Sequence, residues 1–388
     1  MTSSVPFAKF PVAADAQTDR SRRAAWGTHT FWMPGAQGLE LSITVEPLPR
    51  EDIEGAFKRL AATLNKCAAT LVHLTILGNV SASTAAAEAM RRVFGGVDWP
   101  VTWVEGSACD GGPLAGLQAV ALAGGEVQPI RADGRVIGSV FEDGAFSHCV
   151  LGGVGPGSPS APRADQTRQT LDHLGEALAR GGFRLGDLVR TWFFLDDLLL
   201  WYDEFNRVRT GVYSGVQFRT GSLPASTGIG ARNPAGTALV AAAWAMQPLN
   251  RTARIEEVAS PLQCPASAYG SFFSRAMEMS SPAGRCLFVS GTASIAPGGK
   301  TLWPQDPPRQ VAQTMQVVQA ILETREFSLS HLTRATAYFK RQADNRFFRE
   351  WCATNGWAFL PVVSANCDVC RDDLLFELEL DAWRPNQR

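Results

Sequence analysis

The amino-acid sequence predicts an α+β fold built from three tandem copies of one unit, in which helices cover one face of a strand-rich layer. Two observations carry this prediction. Segments with helical and with strand-like spacing of apolar residues follow one another in the same order three times along the 388 residues. In each copy a proline stands between the second helix and the last strand, and such a recurring order is the signature of a repeated unit.

The first element of each unit is predicted to be an amphipathic helix. Apolar residues recur every three or four positions, as Ile53, Phe57, Leu60 and Leu64 do in the first unit, and this spacing places them on one helix face. The three segments are "EDIEGAFKRLAATL" (51–64), "QTRQTLDHLGEALAR" (166–180) and "RQVAQTMQVVQAIL" (309–322).

Each of these helices is followed by a strand-like run, and each run by a second helical segment. The strand-like runs are "TLVHLTIL" (70–77), "DLVRTWFFL" (187–195) and "HLTRATAYF" (331–339). The second helical segments are "TAAAEAMRRVF" (84–94), "WYDEFNRVRTGVY" (201–213) and "NRFFREWCATN" (345–355).

Every unit then has a proline and closes on an apolar strand. The prolines are Pro100, Pro224 and Pro361, and the closing strands are "LAGLQAVALAG", "GTALVAAAWAM" and "DLLFELELDAW". The second and third units carry further strand-like sequence ahead of their first helix, at 134–154 and 271–295. We expect the units to span 1–127, 128–252 and 253–388, with the first unit the most divergent.

Composition and charge exclude several classes of protein. Lys and Arg total 36 against 37 for Asp and Glu, so no net field favours nucleic acid or an anionic membrane. No run of about 18 apolar residues occurs, and the first residues contain no apolar segment of the signal-peptide type. Eight scattered cysteines are typical of reduced thiols. We therefore expect a cytoplasmic protein with no nucleic-acid or membrane partner.

The closing strand of the third unit alternates between apolar and acidic residues. Its apolar residues fall on one face, and Glu377, Glu379 and Asp381 fall on the other. A half-buried antiparallel strand with one solvated face is the usual cause of such alternation. The alternative is that one of these carboxylates carries chemistry, and the pattern alone leaves both interpretations open.

Cys367 and Cys370 form a C-x-x-C pair just before this strand. A structural zinc site needs four ligands, and the sequence has no second such pair and no paired histidines. The strand–helix–strand context of a thioredoxin-like redox site is also missing. We therefore expect two ordinary buried thiols and neither a metal nor a redox centre.

Four motifs lie in order in the second and third units, and together they resemble the chorismatase family. They are "LPASTGIGA" (223–231), "YGSFFSRA" (269–276), "SGTASI" (290–295) and "CRDDLLFELE" (370–379). The order of elements in each unit resembles the RidA/YjgF family. The resemblance implies three tandem RidA/YjgF-like (chorismate mutase-like) units that form a covalent pseudo-trimer, with the ligand site between units. It also implies a monomer, since three units complete the ring.

The resemblance also implies a reaction and two catalytic residues. Glu377 matches the catalytic acid on the closing strand of chorismatases, and Cys370 stands where the 3-hydroxybenzoate-forming branch has a cysteine. The implied reaction removes pyruvate from chorismate, or from a related compound, by protonation of the enol ether, without a metal or organic cofactor. By rough alignment Ala119 and Ala241 occupy the Glu377 position in the other units, which implies one active site.

Four further residues are candidates for substrate binding. Chorismate is a dianion, and a guanidinium binds a carboxylate through two parallel hydrogen bonds. Arg275 and Arg371 lie in the matching motifs and lead the candidates. Arg334 is also compatible with a surface arginine whose apolar stem packs, and Tyr269 with a packing role. We expect Glu379 to lie closer to water than Glu377.

The sequence departs from these families in two places. The loop after "SGTASI" reads "APGGKTLWPQD" and lacks the histidines of the chorismatase pattern. Ser226 and Val363 stand where RidA deaminases have an arginine, which argues against imine deamination of that type. Two alternatives therefore stay open: a RidA-like enzyme that acts on an imine, enamine or other biosynthetic intermediate, and a non-catalytic RidA-like ligand-binding protein.

Overall fold

The computed structural model describes residues 27–35 and 38–386. Over these residues the chain forms three sheets, of five, six and seven strands, and each sheet carries two α-helices. The fold class predicted from the repeated order of elements, α+β with three tandem units, is therefore confirmed. None of the helices in this described part has the length and apolar character that a membrane crossing requires.

The first sheet is formed by the first unit. Its strands are β1 (Thr28–Pro34), β2 (Leu39–Val45), β3 (Ala69–Gly78), β4 (Val101–Val104) and β6 (Leu114–Ala123), while the two-residue β5 (Ser107–Ala108) joins the third sheet. The helices of this unit are Ile53–Cys67 and Ser83–Phe94.

The second and third sheets have six strands each from their own unit. The second contains β7 (Gln128–Ala132), β8 (Arg135–Glu142), β9 (Phe146–Val154), β10 (Leu188–Leu195), β11 (Ala225–Gly230) and β12 (Leu239–Pro248), with helices Arg163–Arg180 and Leu198–Tyr213. The third contains β13 (Arg254–Val258), β14 (Ala276–Ser280), β15 (Gly284–Ala293), β16 (Leu332–Phe339), β17 (Val362–Asn366) and β18 (Phe376–Pro385), with helices Pro307–Glu323 and Asn345–Thr354.

The three sheets share one strand order. The order β2-β6-β3-β4 of the first recurs as β9-β12-β10-β11 in the second and as β15-β18-β16-β17 in the third. In each sheet the closing strand pairs antiparallel with both of its neighbours, and the last strand in the order runs parallel to the one beside it. The unit boundaries 1–127, 128–252 and 253–388 remain our proposal, since β5 crosses to the third sheet.

Eight strands were not predicted from the sequence: β1, β2, β4, β5, β7, β11, β13 and β17. β1 and β2 precede the first helix of the first unit, so this unit also begins with strands. β4, β11 and β17 begin directly after Pro100, Pro224 and Pro361. A proline at the first position of a strand removes no hydrogen bond from the strand interior, so each proline marks the start of a short strand and not only a turn.

The first helix of the first unit and the first helix of the third unit begin at acidic N-cap residues. The Asp52 side chain accepts a hydrogen bond from the Gly55 backbone N–H at 2.7 Å, and Asp306 accepts one from Arg309 N–H at 3.1 Å. Such caps satisfy backbone donors that the first helical turn leaves without partners. Pro307 fits the first helical position, where no backbone N–H is needed.

Each unit packs its helices on one face of its sheet, and the opposite faces of the three sheets meet. Phe57 and Leu60 of the first helix pack into an apolar core with Leu117 of β6, and the other units have equivalent cores. A further apolar cluster takes residues from all three units, including Trp244 and Phe288. The inner faces of the sheets are therefore covered by one another and not by water.

Backbone contacts join the units around the ring. β5 of the first unit pairs with β17 of the third, with Ala108 opposite Ala365. Gly230 of the second unit pairs with Asp368 of the third, and the Glu105 N–H of the first donates to the Arg232 carbonyl of the second at 2.8 Å. The pseudo-trimer is thus closed by contacts between every pair of units, and the expected monomer remains a prediction.

Candidate active site

The acidic face of β18 is buried, not solvated. Glu377, Glu379 and Asp381 expose only 4%, 1% and 5% of their surfaces. The expectation that Glu379 would lie nearer to water than Glu377 is therefore wrong. The cause is the packing of the three inner sheet faces, which a single-strand pattern does not reveal.

Strand register identifies the positions equivalent to Glu377 in the other units. Glu377 lies opposite Tyr338 in the third sheet, and the matching pairs are Gly116 opposite Leu77 and Val240 opposite Phe194. The rough alignment with Ala119 and Ala241 was wrong, because both of these alanines belong to helix-side cores. The third unit is still the one that has a carboxylate at this position.

A cavity of about 390 Å³ opens between the second and third units. It brings together four of the predicted residues, Glu377, Cys370, Arg275 and Arg371. Its other wall is the helix Leu198–Tyr213 of the second unit, together with β11. The polar residues that this wall adds were not predicted from the sequence: Tyr202, Asp203, Asn206, Arg207, Arg209, Thr210 and Ser226.

The Glu377 carboxyl faces this cavity and is held in its acid form. Burial raises the pKa of Glu377 to about 8, and the negative charge of Glu379 adds to the rise, while Arg190 and Arg275 oppose it. The carboxyl lies against the Gly291 backbone so closely that a Cβ at Gly291 would come within 2.0 Å of Glu377 Oε1. Glu377 thus combines access to the cavity with a proton that it keeps near neutral pH.

Cys370 lines the same cavity as an uncharged thiol. Burial raises the pKa of the Cys370 thiol to about 12, and the nearby Glu377 adds to the rise. Cys367 is also buried, and its pKa is raised for the same reason. Among the described residues, no group of three His, Cys, Asp or Glu side chains is arranged to hold a metal ion.

Arg275 and Arg371 are anchored to backbone carbonyls at the cavity wall. Arg275 Nε and Nη2 donate to the Cys264 carbonyl at 3.2 and 2.9 Å. Arg371 Nη1 donates to the Gly299 carbonyl at 2.6 Å. Both guanidinium groups are therefore held at the wall of the cavity.

Arg209 is a buried arginine of this cavity that sequence reasoning missed. It exposes 1% of its surface, and no carboxylate of the described residues lies within ion-pairing distance. Arg209 Nη2 donates to Asn206 Oδ1 at 2.8 Å, and its guanidinium lies 5.0 Å from the Phe205 ring centre. The sequence did contain a signal for this residue. Asn206 and Arg209 are three positions apart, follow the buried Phe205, and interrupt the apolar face of the helix.

Two of the predicted binding residues are not placed in the cavity lining. Arg334 ion-pairs with Asp381 and Glu379 and donates to Gln118 Oε1 at 2.8 Å, so it belongs to the core between the sheets. We therefore do not retain it as a substrate-binding residue, and it is not a surface arginine either. Tyr269 ends the short helix Ala266–Tyr269 beside the cavity, and its side chain lies outside the described part of the structure.

Comparison with known proteins finds similarity both in sequence and in fold. No family model matches the chain. A 3-hydroxybenzoate synthase from Streptomyces hygroscopicus is 27% identical over an alignment of 267 residues, and the match covers 61% of this chain and 74% of that protein. A chorismatase crystal structure matches 92% of this chain and 98% of its own, with a TM-score of 0.57 and 19% identity. The YjgF gene product of E. coli matches 31% of this chain and 92% of its own, with a TM-score of 0.26 and 23% identity.

Proposed function

Because this chain is chorismatase-like in sequence and in fold, we propose that it is an enzyme that cleaves the enolpyruvyl ether of chorismate, or of a closely related compound, and releases pyruvate. The observation that carries the proposal is a buried carboxyl group, Glu377, which keeps its proton near neutral pH and faces a cavity rimmed by arginines. The similar proteins named 3-hydroxybenzoate synthase and chorismatase support the same reaction class.

The proposed chemistry is general acid catalysis. Glu377 gives its proton to the methylene carbon of the enol ether, and the positive charge that develops is shared by the ether carbon and oxygen. The bond between this oxygen and the ring carbon then breaks, its electron pair stays on the oxygen, and pyruvate leaves. The ring either takes a hydroxyl group from water or loses a proton and aromatises, and in both cases a proton returns to the Glu377 carboxylate. An unperturbed Glu titrates near about 4.3 and would hold almost no proton at pH 7. Burial of Glu377 between two units removes this obstacle, since a low-dielectric environment disfavours the ionised form.

The cavity also suits an anionic substrate. Arg209 lies on the wall from the second unit, and Arg275 and Arg371 lie on the wall from the third. Guanidinium groups are the side chains best matched to carboxylates. Arg209 has no carboxylate partner within the described residues, so a substrate carboxylate would supply the missing negative charge.

The Cys370 thiol supports the hydroxybenzoate product. It lies next to Glu377 in the cavity and remains uncharged. We propose that it borders the substrate ring, keeps water away, and so favours elimination and aromatisation over attack by water. Cys370→Ala is then expected to shift the products toward a dihydroxycyclohexadiene acid while pyruvate release persists. Chromatography of the ring products checks this, and an unchanged product ratio would make Cys370 a packing residue.

The site fits RidA-type imine deamination poorly. Ser226 lines the cavity with a hydroxyl where that chemistry uses a guanidinium. Val363 packs between units, where its methyl would lie 2.7 Å from a Cβ at Gly116. Neither position supplies a cation, and the matching positions on the closing strands of the first two units have no acid.

Incubation with chorismate, followed by measurement of pyruvate, tests the proposed function. We expect pyruvate and one equivalent of a ring acid from the parent chain, and almost none from Glu377→Gln. Release of ammonia from an imine of a 2-oxo acid, without pyruvate from chorismate, would favour the RidA-like alternative. Tight binding of chorismate with no turnover would favour a ligand-binding protein.

A further inference from the structure

Glu379 is a buried carboxylate with an unusually complete set of donors. Its oxygens accept hydrogen bonds from side chains of the second and third units: Arg190, Trp192, Thr227, Arg334, Thr336 and Tyr338. Burial by itself would raise the pKa of Glu379, but the charges of Arg190 and Arg334 and the bonds from Thr227 and Trp192 outweigh it, and the pKa is lowered. A negative charge is therefore fixed inside the molecule.

This fixed charge lies next to Glu377. The two residues are on the same face of β18, two positions apart, which corresponds to about 7 Å along a strand. Thr227 donates to Glu379 Oε2 at 2.6 Å and accepts from the Gly291 N–H at 3.1 Å. Gly291 is the residue against which the Glu377 carboxyl rests, so one hydroxyl links the charge to the backbone that supports the acid.

We propose that Glu379 is a positioning residue for Glu377: its fixed negative charge holds the neighbouring carboxyl in the acid form, and its bond to Thr227 holds the support on which that carboxyl lies. This inference rests on the proposed general-acid function. Two adjacent carboxyl groups in one buried site do not both ionise readily. The six donors decide which of the two carries the charge.

The other charged and titratable groups around Glu377 act in both directions. The guanidinium groups of Arg190 and Arg275 favour ionisation of Glu377, while Glu379 opposes it. Across and around the cavity lie further groups that contribute to the local potential: Asp203, Arg207, Arg209, Cys370 and Arg371. With Glu379 neutralised, the arginines prevail, and Glu377 is expected to lose its proton at a lower pH.

Two variants separate charge from shape. Glu379→Gln removes the charge and nearly keeps the shape, and Glu379→Asp keeps the charge and shortens the side chain. We expect the alkaline midpoint of turnover to fall by about one pH unit in Glu379→Gln and to stay near the parent value in Glu379→Asp. A uniform loss of turnover in both variants, with an unchanged midpoint, would overturn the proposal and leave Glu379 a structural residue.

A titration of the parent chain, with Glu377→Gln to assign the resonances, gives a test that requires no known substrate. Carbon-13 NMR of the side-chain carboxyl groups of glutamate should show two resonances that titrate near pH 8, from Glu377 and Glu40, and only the Glu377 resonance should disappear in Glu377→Gln. The carboxyl group of Glu379 should give a further resonance and stay ionised from about pH 5 to 9. Protonation of Glu379 in this range would overturn the inference. Absence of pyruvate release, with the titration as expected, would refute the proposed function alone.

Discussion

At the residue scale, the site depends on a carboxyl group that is exposed to a cavity and yet protonated. Glu377 exposes 4% of its surface. Burial is the larger cause of its raised pKa, and the negative charge of Glu379 is the second cause. Cys370, Arg209 and Arg275 surround the same space. Since each of these groups comes from a different segment, the protonation of Glu377 is a property of the assembled interface.

The first prediction concerns the pH dependence of turnover. The pKa of Glu377 is raised to about 8, so the acid form is present below this pH and is lost as the pH rises through it. We expect turnover to fall above pH 8.

Glu377→Gln should bind substrate but lose about 10²- to 10⁴-fold in turnover, the usual effect of removing a positioned general acid. Near-normal pyruvate release by this variant would refute the assignment.

The second prediction concerns Arg209. Arg209→Gln removes a buried guanidinium from the cavity and keeps a side chain that can still contact Asn206. We expect KM for an anionic substrate to rise about 10-fold or more, because a charged hydrogen bond contributes about 1.5–3 kcal/mol, with a smaller change in kcat. Steady-state kinetics measure this, and Arg168→Gln on an exposed position of another helix is the control. Equal KM values in both variants would show that Arg209 only supports the helix.

At the scale of elements, apolar spacing predicted the two helices of each repeat, and the strand between them, to within a few residues. The helix 166–180 is observed as Arg163–Arg180, and the strand 331–339 as Leu332–Phe339. The strands after Pro100, Pro224 and Pro361 were missed because they are short and a proline usually indicates a turn. The sequence alone also did not show that β1 and β2 precede the first helix.

The site residues that lie in sequence motifs could be predicted, and those that reach the cavity only through the packing of the units could not. Glu377, Cys370, Arg275 and Arg371 lie in quoted motifs, and all four line the cavity. Arg209 lies on a helix whose role appears only when the second unit packs against the third. Arg334 was misjudged for the same reason, since its partners Gln118 and Asp381 are distant in the chain.

The third prediction concerns the hairpin that supports the acid. In Gly291→Ala the new Cβ would lie 2.0 Å from Glu377 Oε1 and 3.4 Å from a methyl of Thr227, so the carboxyl must move. We expect turnover to fall at least 10-fold, since small displacements of a reacting group are costly. Gly298→Ala on the following loop, where a Cβ meets nothing within 4 Å, is the matched control. Equal turnover in the two variants would show that the carboxyl can move freely.

At the scale of the whole molecule, the three units contribute different residues at equivalent positions around one axis. His73, Arg190 and Arg334 are equivalent, as are Gln118, Ala242 and Glu379. The charged residues Arg190, Arg334 and Glu379 therefore come from the second and third units, and the first unit adds the uncharged Gln118. A symmetric trimer would repeat every charge three times, whereas one covalent chain can place a single acid at one interface.

A second cavity, of about 50 Å³, lies between the units, and the units again contribute different residues from equivalent positions. Glu40, His148 and Cys286 occupy equivalent positions of β2, β9 and β15 and all line it. Burial raises the pKa of Glu40 to about 8, and the charges of Asp143 and Asp381 add to the rise. Glu40 is therefore uncharged in the folded protein at neutral pH.

The fourth prediction follows from Glu40 and concerns the stability of the entire ring. Below about pH 4.5 Glu40 is protonated in both the folded and the unfolded chain. Between that pH and about 8 only the folded chain keeps the proton of Glu40. The free energy of unfolding therefore decreases as the pH rises through this range. Glu40→Gln carries no such penalty and should gain stability over the parent from about pH 5 to 8, then hold a constant advantage. Chemical unfolding at several pH values measures this, with exposed Glu142→Gln as the control. An advantage that does not grow with pH would mean that Glu40 is ionised in the folded protein, and that water enters where the three units meet.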